Sequence, residues 1–353
     1  MKRVIILSIG TATPAVVKAI SEAFEINQEL LFRMLYNAPA IFLENADEPL
    51  AARAADLLTE LGLEISVQDI SETPPLPSEP IDIAVYITDP VKLTEVNKQL
   101  SEFLGCNESE SLQLLLNEPS VVLGGVSMAT AESLQKRLAA EVIASNPKAD
   151  LYTVEFIDEQ EHDRLRLMSI FQGLSVTIPA GETRWVRNLN HEQLGQFLSR
   201  HKSQAGIRIY NQSYSRYRIL LNDFQLTDSI QTDFLVNQIG MPQDALENIH
   251  ANLPVLLDES LNYHTLREKL EIYRQAGLNC SEERIPFGKY ALSVSNITDS
   301  SKTEELLGKF YSDVKLNKNA AVWKAPLPLS SVLSRFLEKQ LEYIGCEIEH
   351  EYQ

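Results

Sequence analysis

The sequence predicts an α+β protein made of four tandem copies of one small domain, each with three helices on a three-stranded antiparallel sheet. The first observation behind this is a recurring stretch: Asn37-Ala38-Pro39-Ala40-Ile41-Phe42-Leu43-Glu44, then Asn117-Glu118-Pro119-Ser120-Val121-Val122-Leu123-Gly124, then Asn252-Leu253-Pro254-Val255-Leu256-Leu257-Asp258-Glu259. A worn fourth version reads Val322-Trp323-Lys324-Ala325-Pro326. The three prolines stand 80 and 135 residues apart, and self-similarity at this scale outranks any local motif in reading a fold. The second observation is that each stretch sits between helical patterns that are flanked by strand-like runs. The third is size, since 353 residues accommodate four such copies and one insert.

Repeat one, 1–70, opens with the apolar strand Val4 to Ile9. Helices follow from Pro14 to Phe24, Gln28 to Tyr36 and Glu48 to Leu61, the last stopped by Gly62, and Leu63 to Gln68 alternates as a half-buried strand. Pro74, Pro75, Pro77 and Pro80 make 71–80 a stiff spacer, and the absence of basic residues beside them argues against a ligand for an SH3-type groove. Repeat two, 81–157, runs from Ile81 to Ile87 through helices at Pro90 to Leu104, Ser109 to Leu116 and Ala129 to Ala144, closed by a strand from Leu151 to Phe156.

Residues 158–216 break the pattern and read as an α/β insert, with strands at Leu174 to Ile178 and Ile207 to Tyr210 and a helix from Asn190 to Lys202. Repeat three, 217–287, has helices at Asp228 to Ile239, Pro242 to Ala251 and Tyr263 to Ala276 before Gly277, then a strand around Leu278 to Ile285. Repeat four, 288–353, is the most divergent, with helices near Ser301 to Tyr311 and Leu329 to Ile344 and a weak middle helix.

A net charge of −18 disfavours phosphate backbones and anionic membranes as partners. The insert is locally basic, with Arg164, Arg166, Arg184, Arg187, Arg200 and Arg208 beside Trp185, Tyr210 and Tyr214. That mixture can bind single strands, but in so acidic a chain it fits an interface with the acidic repeats better. Cys106, Cys280 and Cys346 are far apart and odd in number, which suits free thiols in a reducing compartment. The N-terminal apolar run before Ser8 is too short for a signal-peptide core, and no later run has membrane-span length. The expectation is a cytoplasmic protein without a membrane segment.

The repeats resemble the C-terminal domain of the bacterial ribosomal stalk protein, through Asn37-Ala38-Pro39-Ala40, Glu60-Leu61-Gly62-Leu63-Glu64 and the 23-residue interval from Pro39 to Gly62 that returns between Pro254 and Gly277. The resemblance implies a compact three-helix, three-strand fold. That family contacts translation GTPases with a basic, partly apolar face, and the matching positions here are Thr13, Pro14, Val17, Lys18 and Ser21, of which Lys18 alone is charged.

Repeat three, through Tyr217-Arg218-Ile219-Leu220-Leu221-Asn222-Asp223, also resembles the ClpS adaptor of the same fold. By that resemblance Asn222, Asp223 and His250 would hold the α-amino group of a peptide, since charge-assisted hydrogen bonds to an ammonium are strong. The same three residues also suit a plain turn cap and a helix end.

No phosphate loop, dinucleotide fingerprint or zinc-protease motif occurs, and the six histidines are scattered without ligand spacing. Gly124-Gly125-Val126-Ser127 reads as a turn rather than a nucleophile elbow, and Glu44, Glu118, Asp258 and Glu259 as solvated turn positions. The expectation is a non-enzymatic scaffold or adaptor with protein partners or self-association, no cofactor and no metal. The alternative is a receptor for free N-termini at Asn222, Asp223 and His250.

Overall fold

The computed structural model describes residues 1–156, 161–174, 176, 178, 185–201, 206–311 and 322–352, and for 161–164, 166 and 167 the backbone alone. It is a mixed α+β structure that divides into two compact units, Met1–Asn146 with Phe287–Gln353, and Pro147–Pro286.

Among the described residues, five small antiparallel sheets follow one another, and in each the first strand in sequence lies in the centre. Module 1 comprises β1 (Lys2–Ser8), α1 (Val16–Phe24), α2 (Gln28–Tyr36), β2 (Ala40–Ala46), α3 (Glu48–Glu60) and β3 (Glu64–Asp69). Module 2 comprises β4 (Ile81–Tyr86), α4 (Leu93–Leu104), α5 (Glu108–Leu116), β5 (Val121–Val126), α6 (Met128–Gln135) and β6 (Glu141–Ser145). Module 3 has β7 (Tyr152–Phe156), α7 (Glu161–Gln172), β8 (Trp185–Leu189), α8 (His191–Arg200) and β9 (Ile207–Asn211). Module 4 has β10 (Arg216–Asp223), α9 (Ser229–Asn237), α10 (Leu246–Ala251), β11 (Val255–Leu261), α11 (Tyr263–Gln275) and β12 (Asn279–Ile285). Module 5 has β13 (Lys289–Ser295), α12 (Ser300–Gly308), β14 (Val322–Lys324), β15 (Leu329–Ser330), α13 (Ser331–Tyr343) and β16 (Glu347–Tyr352).

Several expectations change here. The segment read as an insert carries a sheet, β8-β7-β9, with the strand order of its neighbours. The strand expected to close module 2 opens module 3 instead, while module 2 is closed by β6, inside the stretch read as the end of a long helix. Alanines favour a helix there, but Val142 and Ile143 pair with Val85 and Ala84, and the unpaired edge of β4 prevails over local propensity. Of the strand expected at 174–178, the described residues Leu174, Val176 and Ile178 are not in a strand. The middle helix expected in repeat four falls largely on 312–321, outside the described residues.

One local device recurs in modules 1 to 4. Near its end the second strand slips by one residue against the central strand, so that Lys2 and Val4 face Ala46 and Leu43, and Tyr217 and Ile219 face Leu261 and Asp258. The same slip occurs between Ile81 and Ile83 and between Tyr152 and Val154. The bulge residue has a left-handed backbone: Asn45 (φ 62°), Gly125 (φ 67°), Asn188 (φ 60°) and Ser260 (φ 61°). Two residues later the chain supplies a helix cap, with Asp47, Ser127, Asn190 and Asn262 each accepting a backbone N–H three residues ahead. The bulge thus turns the strand directly into the last helix of the module. The peptide bonds before Pro39, Pro119 and Pro254 are all cis.

Apolar residues of the first strands and third helices form the cores, with Val4, Ile6 and Leu58 in module 1 and Ile219, Leu221 and Leu266 in module 4 fully or nearly fully buried. Modules 1 and 2 share one continuous core, to which Val332 of α13 also contributes. Modules 3, 4 and 5 have cores of their own.

The repeated bulge makes a test. A Cβ at Gly125 would meet nothing within 4 Å, so only the backbone conformation restricts this position. Gly125→Asn should leave the stability of the first unit within about 0.5 kcal/mol, whereas β-branched Gly125→Val should lower it by about 1–3 kcal/mol, read from thermal unfolding.

Candidate functional site

The three residues singled out in module 4 do not converge. Along β10, Ile219 and Leu221 point into the core. Asn222 lies on the Leu220 side of the sheet, where its Oδ1 accepts a hydrogen bond from Ser281 Oγ at 3.1 Å. Asp223, at the strand end, carries a carboxylate that is 65% exposed and lies 3.9 Å from Nε2 of His250. His250 sits in the last turn of α10 with its ring edge-on to the buried Phe224, centroids 5.2 Å apart. An exposed carboxylate beside an imidazole can take an ammonium or guanidinium group, but Asn222 is turned away from it.

A second cluster in module 4 joins helix to sheet. Asp258 on β11 accepts from Lys269 and Tyr273, one turn apart on α11, and its side chain is 17% exposed, so it is not the solvated turn residue expected. Burial, together with this bond, raises the pKa of the Tyr273 hydroxyl. Burial and the neighbouring Asp258 charge push the Cys280 thiol up to about 11, which keeps it protonated and a poor nucleophile. Within the second unit, Arg284 pairs with Glu155 at 3.6 Å and stacks 3.7 Å from the Tyr210 ring centroid. The basic residues Arg187 and Arg218 pair with Glu282 and Glu283 of β12.

Ser127 is no nucleophile. Its hydroxyl caps α6 and it is fully buried. Among the described residues, no group of three His, Cys, Asp or Glu side chains is placed to hold a metal ion, and no helix is long and apolar enough to cross a membrane.

The most developed polar contacts of the first unit are those by which its modules dock. The third helix of module 2, α6, lies on module 1: Ser127 N–H and Thr130 Oγ1 both donate to the Tyr36 carbonyl, at 2.9 and 2.8 Å, where α2 ends. Ser133 Oγ meets Ser8 Oγ at 2.7 Å where β1 ends, and Arg137 donates to the carbonyl of Gly10. Burial raises the Tyr36 hydroxyl to about 12, and its ring packs edge-on against Phe103. Gly105 comes so close to Pro14 that a Cβ would stand 2.8 Å from the proline ring.

The last helix of module 5, α13, lies on module 2 in a related way. Val332 enters the shared core. Arg335 reaches the Thr88 carbonyl at 3.5 Å and the Tyr86 ring at 5.2 Å, and the Glu118 carboxylate, just after α5, accepts from Gly288 N–H at 3.3 Å. Glu118 is therefore an interface residue rather than a solvated turn position. Of the positions matched to the GTPase-contacting face of the stalk domain, Val17 is buried and Pro14 lies against module 2, while Lys18 is exposed beside Glu22.

No family model, no curated protein and no solved structure matches this chain. The docking residues Ser8, Tyr36, Ser133, Arg137 and Arg335 escaped the sequence reading. Aligning the repeats on their prolines would have placed Tyr36, Glu118 and His250 in one neighbourhood.

Two tests follow from these contacts. Asp223→Ala and His250→Ala should each change the opening free energies of module 4 amides by less than about 1 kcal/mol in hydrogen exchange, because the pair is exposed. Phe224→Ala should lower them by about 3–5 kcal/mol. Burial raises the Glu118 pKa above its ordinary value, so its contribution to stability is full in acid and is lost as pH rises through the raised value. Glu118→Gln, neutral throughout, should therefore raise the unfolding temperature of the first unit at neutral pH relative to the unmodified protein, and this gain should shrink near pH 4.

Proposed function

We propose that this chain is a non-enzymatic protein-interaction scaffold or adaptor, acting in the cytoplasm and built of stalk-like modules: the four repeats and a fifth module in place of the expected insert. The observation that carries this reading is the repeated docking in the first unit. There the last helix of one module lies on the ends of the second helix and first strand of another, at two successive places. A chain that uses one kind of surface repeatedly presents several similar sites, and linking them raises effective concentration for a partner. The excess of negative charge favours protein over nucleic-acid partners.

A second reading, a receptor for free N-termini, is favoured by the 3.9 Å approach of Asp223 to His250 and by the exposure of both side chains. An ammonium could sit between them, without Asn222.

Affinity purification from native extract, with unmodified chain and with Asp223→Ala plus His250→Ala, separates these readings. The scaffold reading expects a defined set of proteins with the unmodified chain, none of them released by acetylated or free amino-terminal peptides. Selective release by free amino-terminal peptides, together with loss of the set in the double variant, would replace it with the receptor. Recovery of nothing but further copies of the chain would remove the receptor and leave the scaffold reading as self-association, and recovery of nothing at all would count against both.

A further inference from the structure

Module docking in the first unit runs in one direction. Module 5 gives its last helix to module 2, and module 2 gives its last helix to module 1. Such a head-to-tail line leaves a third helix unused at its end, here α3 of module 1. Counted from the caps Asp47 and Ser127, the positions Leu50, Arg53 and Leu57 of α3 correspond to Thr130 and Ser133 of α6 and to Arg137 in the turn just after it, the residues by which module 2 docks. On α3 that face is open: Leu50 is 46% and Leu57 36% exposed, with exposed Arg53 between them.

The complementary surface is open in module 4. Ile6 pairs with the residue after Pro39 and Leu221 with the residue after Pro254, so Ser8 and Asp223, each two residues further on, are equivalent. The bulge against the third strand confirms the register, since Ser8 faces Glu64 and Asp223 faces Asn279, each two residues after the helix-ending glycine. Ala251 likewise takes the place of Tyr36, three residues before the proline, with His250 beside it. The surface that in modules 1 and 2 receives a helix is here lined by exposed Asp223, exposed His250 and Leu226, which is 40% exposed.

We propose that two copies of this chain associate through this pair of surfaces, α3 of one copy seating on module 4 of the second. In the module 2 to module 1 contact, Ser133 stands opposite Ser8. Transferred to the open pair, the same alignment sets the Arg53 guanidinium against the Asp223 carboxylate. Leu57 then falls beside Leu226, and Leu50 over the end of α10. A neutral serine pair inside the chain is thus replaced by a charge pair between chains, which gives specificity for the second copy over the internal acceptors. This inference rests on the scaffold reading and names the partner of module 4.

Sedimentation of the full chain over a range of concentrations tests it. The unmodified chain should self-associate reversibly. Arg53→Glu and Asp223→Arg should each weaken association about tenfold or more, and the two together should restore it in large part. Leu57→Asp should abolish it. All of these side chains are exposed, so unchanged circular dichroism and unfolding temperature serve as the folding control. A chain that stays monomeric at high micromolar concentration overturns the proposal, as does association that is indifferent to Arg53→Glu and Leu57→Asp. If a monomeric chain still recovers other proteins from extract, this inference fails while the scaffold reading stands. If it recovers none, both fail.

Discussion

The Tyr36 carbonyl, where α2 ends, accepts two hydrogen bonds from the first turn of a helix that belongs to another module. That contact expresses a constraint on the whole chain. A module of this size has one sheet face to cover and few apolar residues with which to cover it, so its core alone gives little stability. In the first unit the shortage is met by sharing: modules 1 and 2 have one continuous core, and α13 adds Val332 to it. The polar bonds of Ser127, Thr130, Ser133 and Arg137 add little net energy individually, but they fix where the helix lies, because any other seating would leave buried donors unmatched.

Geometry within each module makes this sharing repeatable. The bulge at Asn45, Gly125, Asn188 and Ser260 and the cap two residues later launch the last helix of each module from the same point on the sheet. A fixed launch point means that one face of the helix covers its own sheet while the other is offered outward. What differs between modules is the chemistry of the outward face: small and polar on α6, with Thr130 and Ser133, and leucine-rich on α3, with Leu50 and Leu57. The same frame can therefore bind within the chain in one place and remain open in another.

Much of the fold was legible in the sequence, because the Pro39, Pro119 and Pro254 stretches and the stops at Gly62 and Gly277 mark identical places in the pattern. Module 3 was not, since no proline immediately precedes Trp185, its left-handed Gly206 comes six residues after α8 ends instead of stopping it, and its bulge is marked only by Asn188 before Leu189 and Asn190. The end of α6 was misread for a similar reason: no glycine stops it, and pairing with β4, a non-local interaction, decides that Val142 and Ile143 are strand. Of the candidate site, Asp223 and His250 were read as neighbours and are neighbours, while the alternation of β10 carries Asn222 to the other side. The docking surfaces were invisible because their residues, such as Ser8, Ser133 and the Tyr36 carbonyl, are ordinary in type and gain meaning only from the partner module.

Hydrogen exchange on the first unit tests most directly whether docking makes its modules one cooperative body. Leu58→Ala creates a cavity in module 1, far in sequence from module 2. Cooperative docking predicts that protection falls together in β1, β4 and α6. Loss of protection confined to module 1, with β4 and α6 unchanged, would contradict it and leave the modules as independent beads.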